Sequence, residues 1–285
     1  MKNWTQNITI LFAAMLACVL QSCLPEPLEV RGLPVVKQEL VVSSQIIPDR
    51  SLVVMLTKTF GALEGSEDSD PEELFRQIAV NEALVLLHGP LQTDTLPQIE
   101  DGVYGGLILP FEAGDSYMLE VRNTPFGEVT ATTTVLEQVS FQDITAELYY
   151  NGFDDTLAQV TYSLVDPAGK NWYMINVQEV EFEDAEENLL NPRAFTRLLD
   201  DANFSGEGYN EQFRVVPRDF SPGDTIAVSL SNVSGEYFHF MKLRQDNRFS
   251  FVEFLSEPVN YPSNIKGGKG FFNLYLPDVR IFILE

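Results

Sequence analysis

Glu128-Val129-Thr130-Ala131-Thr132-Thr133-Thr134-Val135 sets Val129, Ala131 and Thr133 on one face and Thr130, Thr132 and Thr134 on the other. A period of two residues is the signature of a half-buried strand. β-Type runs precede it at short intervals, at 39–43, 52–58, 83–88, 104–109 and 116–122, parted by clusters of Gly, Pro, Asp and Asn. That spacing predicts an N-terminal sandwich of immunoglobulin-like or transthyretin-like type over residues 35–136. One helix interrupts it: Asp70 can cap a run that starts at Pro71 and reads PEELFRQIAV.

Downstream of 136 the pattern continues as a second β-dominated domain, 137–285. Strands are expected at 140–148, 159–165, 172–182, 212–216, 225–231, 271–276 and 279–284. The segment Asp166-Pro167-Ala168-Gly169-Lys170 reads as the turn of a hairpin between the second and third of these. Ser234 can cap a packed helix through Gln245, and 192–201 reads as another short helix. Phe111-Glu112-Ala113-Gly114-Asp115-Ser116 and Phe220-Ser221-Pro222-Gly223-Asp224-Thr225 form an echo, each a Gly-Asp turn before an apolar strand. The fold class is therefore mainly β, in two sandwich-like units.

The chain has 285 residues, with 18 Lys and Arg against 42 Asp and Glu, a formal net charge of -24. A field of that sign repels phosphate backbones and argues against a nucleic-acid partner. Two cysteines and two histidines are too few for a zinc cluster or an iron–sulfur centre, so neither metal nor cofactor is expected. Residues 8–20, ITILFAAMLACVL, follow Lys2 and are shorter than the roughly 20 apolar residues of a membrane-spanning helix. That layout is a secretory signal, residues 1–22. Leu20-Gln21-Ser22-Cys23 resembles the lipobox of bacterial lipoproteins, in which the cysteine thiol is lipidated and becomes the first mature residue. Met15-Leu16-Ala17-Cys18 is a second candidate, but Cys23 follows the whole apolar run and opens the Pro-rich tether, 23–34. Each buried methylene contributes about 0.8 kcal/mol, so several acyl chains hold a protein to a membrane without any spanning segment.

Candidate chemistry is sparse. Glu64, Glu67, Asp68, Asp70, Glu72 and Glu73 form an acidic run without calcium-loop spacing, and Asp154-Asp155 and Asp200-Asp201 are loop pairs of the same kind. His88 and His239 lack a G-x-S-x-G elbow, and no P-loop or HExxH motif occurs. No catalytic residue is assigned. The most distinctive segment is 256–272, SEPVNYPSNIKGGKGFF, with prolines that extend the chain and glycines that permit close backbone approach. Asn260, Tyr261, Asn264, Phe271 and Phe272 are its candidate ligand or partner residues. The segment serves either as a functional loop or as a structural crossover.

SEPVNYPSNIKGGKGFF, together with FSPGDTIAVSLSNVSGEYFHFMKLR and LQSC, resembles the Bacteroidota lipoproteins grouped as domain-of-unknown-function family 4249. The resemblance covers about 250 residues, and its most specific part is the PSNI-x-GG-x-G-x-F loop. It implies a non-catalytic lipoprotein of the outer membrane, a binding or accessory component linked to TonB-dependent uptake, with a TonB-dependent transporter as partner. It leaves open which side of that membrane the protein faces. Two other classes stand beside this reading: a glycan-active hydrolase using paired carboxylates, and a structural or adhesive envelope spacer.

Overall fold

A computed structural model describes residues 37–47, 51–59, 71–123, 125–150, 152, 156–180, 195–204, 206–216, 219–248 and 261–285. Cys23, the tether and most of the acidic run 64–73 lie outside them, as does Asp70, the expected cap of the first helix. The first unit pairs two sheets. One contains β1 (Leu40–Ile46), β2 (Ser51–Lys58), β5 (Gln98–Glu100), β6 (Val103–Ile108) and β15 (Lys269–Phe271), in the order β15-β1-β2-β6-β5. The other contains β3 (Leu84–His88), β4 (Thr93–Leu96), β7 (Ser116–Asn123) and β8 (Gly127–Thr134), in the order β4-β3-β7-β8.

The period-two pattern explains the layers. In β1, Leu40, Val42, Ser44 and Ile46 point inward; in β8, Val129, Ala131 and Thr133 do, as their alternation predicts. They meet Leu52, Val54 and Leu56 of β2 and Leu119 and Val121 of β7 in one core. Each such aliphatic side chain contributes about 1.5–3 kcal/mol on leaving water. Helix α1 (Pro71–Ile78) lies on the outside of the first sheet, where Phe75 and Met55 pack against Ile47, Val53 and Val103.

The second unit also has two layers: β9 (Phe141–Tyr150), β10 (Thr156–Val165) and β13 (Gly208–Arg214) in the order β13-β10-β9, and β11 (Trp172–Glu179), β12 (Phe195–Asp200), β14 (Thr225–Asn232) and β16 (Asp278–Ile283) in the order β12-β11-β14-β16. Val160, Tyr162 and Leu164 face Tyr173, Ile175, Val228 and Leu230 across the core between them. The fold is mainly β, with sandwich-like layering in both halves.

Three local readings are corrected. β10 and β11 form no hairpin: β10 lies between β9 and β13, and β11 between β12 and β14, so 166–171 carries the chain from one sheet to the other. Within 192–201 the described residues 195–200 are strand β12, and only Asp201–Asn203 turns, as a 3₁₀ helix capped by the Asp200 side chain. Strand β15 ends at Phe271, and 272–277 runs on irregularly. Helix α2 (Gly235–Arg248) starts as read, the Ser234 hydroxyl accepting the Tyr237 N–H at 3.2 Å. Its Tyr237, Phe238 and Phe240 enter the core of the first unit, although the helix follows strands of the second.

The echoed turns adopt the same hydrogen-bond pattern. Gly114 N–H donates to Val135 O at 2.9 Å, and Val135 N–H to Asp115 O at 2.9 Å; Gly223 N–H donates to Leu284 O at 2.8 Å, and Leu284 N–H to Asp224 O at 2.9 Å. Both glycines have positive φ, +88° and +99°, which an L side chain resists. Each turn thus locks a strand start to the end of its antiparallel neighbour.

Candidate functional site

The C-terminal segment 261–277 passes between the sheets of the first unit and then enters the second. Asn264 substitutes for a strand neighbour: its Nδ2 donates to Phe272 O at 2.7 Å and its Oδ1 accepts Phe272 N–H at 2.9 Å. Lys266 exchanges backbone hydrogen bonds with Thr130 of β8 at 2.8 and 3.1 Å, while β15 runs parallel to β1 with Val42 opposite Gly270. One short stretch therefore stitches the edge of each sheet. The glycines make this possible. A Cβ on Gly268 would lie 2.5 Å from Leu40 O, and one on Gly270 would lie 1.9 Å from Val42 O.

Beyond β15 the segment keeps hold of β1. Ser44 Oγ donates to Asn273 O at 3.0 Å and accepts Asn273 N–H at 2.9 Å, and Ile46 N–H donates to Tyr275 Oη at 3.1 Å. Burial raises the Tyr275 phenol above its ordinary pKa, so it stays a neutral hydrogen-bonding group. Of the candidate residues, Phe271 and Phe272 are buried in the first core and Asn264 is tied to backbone. Tyr261 is the exposed one, its ring edge-on to Phe240 at 6.1 Å. Asn260 lies outside the described residues.

Past Tyr275 the segment borders a cleft of about 260 Å³ lined by Ile46, Ile108, Leu109, Pro110, Phe111, Tyr275, Leu276 and Pro277. Every lining residue but tyrosine is apolar, and the Tyr275 hydroxyl is already engaged with Ile46. Ile108, at the rim, is 68% exposed. Two Leu-Pro pairs line the cleft, Leu109-Pro110 just after β6 and Leu276-Pro277 just before β16. Such a surface recognises shape and apolar area; its volume is below the roughly 300–1,000 Å³ of small-molecule pockets and suits a side chain or two. The sequence reading missed these residues, whose only signal was the repeated Leu-Pro.

Two buried carboxylates, Asp166 and Asp201, hold loops. Asp166 accepts hydrogen bonds from the Tyr173 hydroxyl, from Gly206 N–H at 2.8 Å and from Asn171 Nδ2 at 3.3 Å. Burial and then this contact push the Tyr173 phenol up. Of the pair Asp200-Asp201, Asp201 is fully buried and accepts Asn171 N–H at 2.6 Å and Lys170 Nζ at 2.6 Å. Lys170 also pairs with Asp200, which lowers the Asp200 pKa and raises that of Lys170. On the outside of the β4-β3-β7-β8 sheet, Glu120 is covered by His88, 2.8 Å from its Nε2, and by Arg122. His239 is exposed on α2, its ring edge-on to Trp172. Among the described residues no group of His, Cys, Asp and Glu is placed to hold a metal ion, and no helix is long and apolar enough to cross a membrane.

Comparison with known proteins places the chain in a family. Residues 27–279 match the domain of unknown function DUF4249, and the chain belongs to that family. No curated protein matches it. Among solved structures, the two fibronectin type-III domain segment of chicken tenascin is similar at 10% identity, over 70% of this chain and 93% of that one, with a TM-score of 0.21.

Proposed function

We propose that this DUF4249 protein is a non-catalytic, lipid-anchored component of the bacterial outer membrane that binds a partner protein, as an accessory of TonB-dependent uptake. The observation that carries the binding role is the apolar cleft with Ile108 at its rim. Its lining side chains are apolar except Tyr275, whose hydroxyl is engaged by Ile46, so it suits an apolar side chain of a partner. The anchoring role rests on the apolar run 8–20 followed by Leu20-Gln21-Ser22-Cys23, which supplies the acceptor sulfur. The non-catalytic reading is supported by the engagement of the buried carboxylates Asp166 and Asp201 in holding loops.

Two substitutions test the two roles separately. Cys23→Ser is expected to abolish labelling by a fatty-acid analogue and release the protein from the membrane fraction. Continued labelling of that variant would overturn anchoring at Cys23. Ile108→Asp is expected to leave folding intact, because the side chain is exposed, while eliminating co-purification of a TonB-dependent transporter from detergent-solubilised membranes. Equal recovery of the transporter with the wild type and the variant, or recovery with neither, would overturn the proposed contact.

A further inference from the structure

We propose that the open edge of strand β16 is a two-fold interface through which two copies of this chain join. The inference is independent of the anchoring and cleft readings, because it rests on the other end of the C-terminal segment.

Strand β16 pairs with β14 without a break, from Leu230 opposite Asp278 to Thr225 opposite Ile283. Among the described residues, no strand pairs with its other side. Leu284, at its end, directs both backbone groups towards β14, its N–H to Asp224 O and its carbonyl to Gly223 N–H. Backbone direction alternates along a strand, so Val279, Ile281 and Ile283 present their N–H and C=O to the open side. Two of them carry exposed apolar side chains, Ile281 at 57% and Ile283 at 65%, and Val279 is half-buried. Natural edge strands are blunted by charge, proline, bulges or shortness. β16 has neither proline nor bulge, and its one cation, Arg280, is paired with Asp278 at 3.1 Å. By contrast, edge strand β9 of the facing sheet carries the exposed carboxylates Asp143 and Glu147.

A second copy is the occupant because the strand is complementary to itself. In an antiparallel two-fold pairing centred on Ile281, each Val279 faces the other copy's Ile283, which joins the aliphatic side chains into one strip. On the opposite face each Arg280 lies across from the other copy's Phe282, so no like charges are opposed. A slip of two residues towards the start of the strand would set Arg280 against Arg280, so charge disfavours that register. The net charge of -24 opposes the approach of two copies. Salt screens that repulsion and should strengthen the dimer, whereas it would weaken capture of a basic foreign strand.

The test is made on the full chain in its own membranes. Directly opposed residues in a hydrogen-bonded antiparallel pair have Cα atoms about 5.5 Å apart, within disulfide reach. Under mild oxidation, Ile281→Cys is expected to give a disulfide-linked band at twice the chain mass. Leu91→Cys, on a hairpin tip and 98% exposed, serves as the matched control. The unsubstituted chain reports any reactivity of Cys18 or Cys23, so a failure of lipidation is read apart from a failure of dimerisation. In light scattering of detergent-purified protein, the dimer fraction should rise with ionic strength, and Ile281→Lys should weaken the dimer on the order of tenfold or more through like charges at the axis. No linked band from Ile281→Cys, equal bands from all three chains, a linked band of another mass, or a dimer indifferent to Ile281→Lys would each overturn the proposal.

Discussion

At the scale of single residues, the segment 264–272 is governed by distances that only hydrogen can satisfy. Gly270 combines φ of +99° with a carbonyl 1.9 Å from any Cβ, and that carbonyl belongs to Val42, within a strand that cannot retreat without opening the core. Gly127 has φ of +80° but open space around it. Gly270→Ala should therefore destabilise the protein by about 3 kcal/mol or more, against about 1 kcal/mol for Gly127→Ala. Urea unfolding of the two variants checks the contrast, and equal midpoints would refute the crowding argument. The glycines of the PSNIKGGKGFF stretch were conspicuous in the sequence. That two of them face the carbonyls of Leu40 and Val42, more than 200 positions away, was not, because β1 carries no mark of its parallel partner.

At the scale of elements, turns decide where strands go. The link between β10 and β11 looked like a hairpin because Pro167 and Gly169 are turn residues. What overrides that local chemistry is Asp166, whose carboxylate anchors the link to Gly206 and Tyr173 and so directs the chain across the sandwich. Replacing Asp166 by Ala would leave buried donors unpaired and should cost about 3 kcal/mol, while Asp166→Asn, which keeps an acceptor, should cost less. Chemical denaturation of both variants gives the measurement; an Ala variant as stable as the wild type would remove the anchor role. Helix α2 shows the reverse balance. Ser234 announced its start correctly, yet its aromatic residues enter the first core, while the helix packs along β11 and β12.

Across the whole molecule, the C-terminal segment ties the two cores. Phe271, Phe272 and Tyr275 fill the first, and β16 completes a sheet of the second. The two units should then unfold together. Tryptophan emission, to which Trp172 contributes from beside helix α2, and far-ultraviolet circular dichroism should give coincident transitions in urea. Phe272→Ala, at a fully buried site, should shift both by about 3–5 kcal/mol without separating them. Two resolved transitions would show that the crossover does not couple the halves.

The sequence by itself determined the mainly β class, most strand positions and the capped start of helix α2, because alternation and capping are local properties of a few neighbouring side chains. It also carried the PSNIKGGKGFF segment and its family. Only the tertiary structure decided which strands share a sheet, why the glycines are needed, that a cleft opens beside the Leu-Pro pairs, and that β16 is the last strand of its sheet among the described residues. Each of these depends on surfaces from distant parts of the chain meeting, and burial energy acts on the assembled surface rather than on any one stretch of sequence.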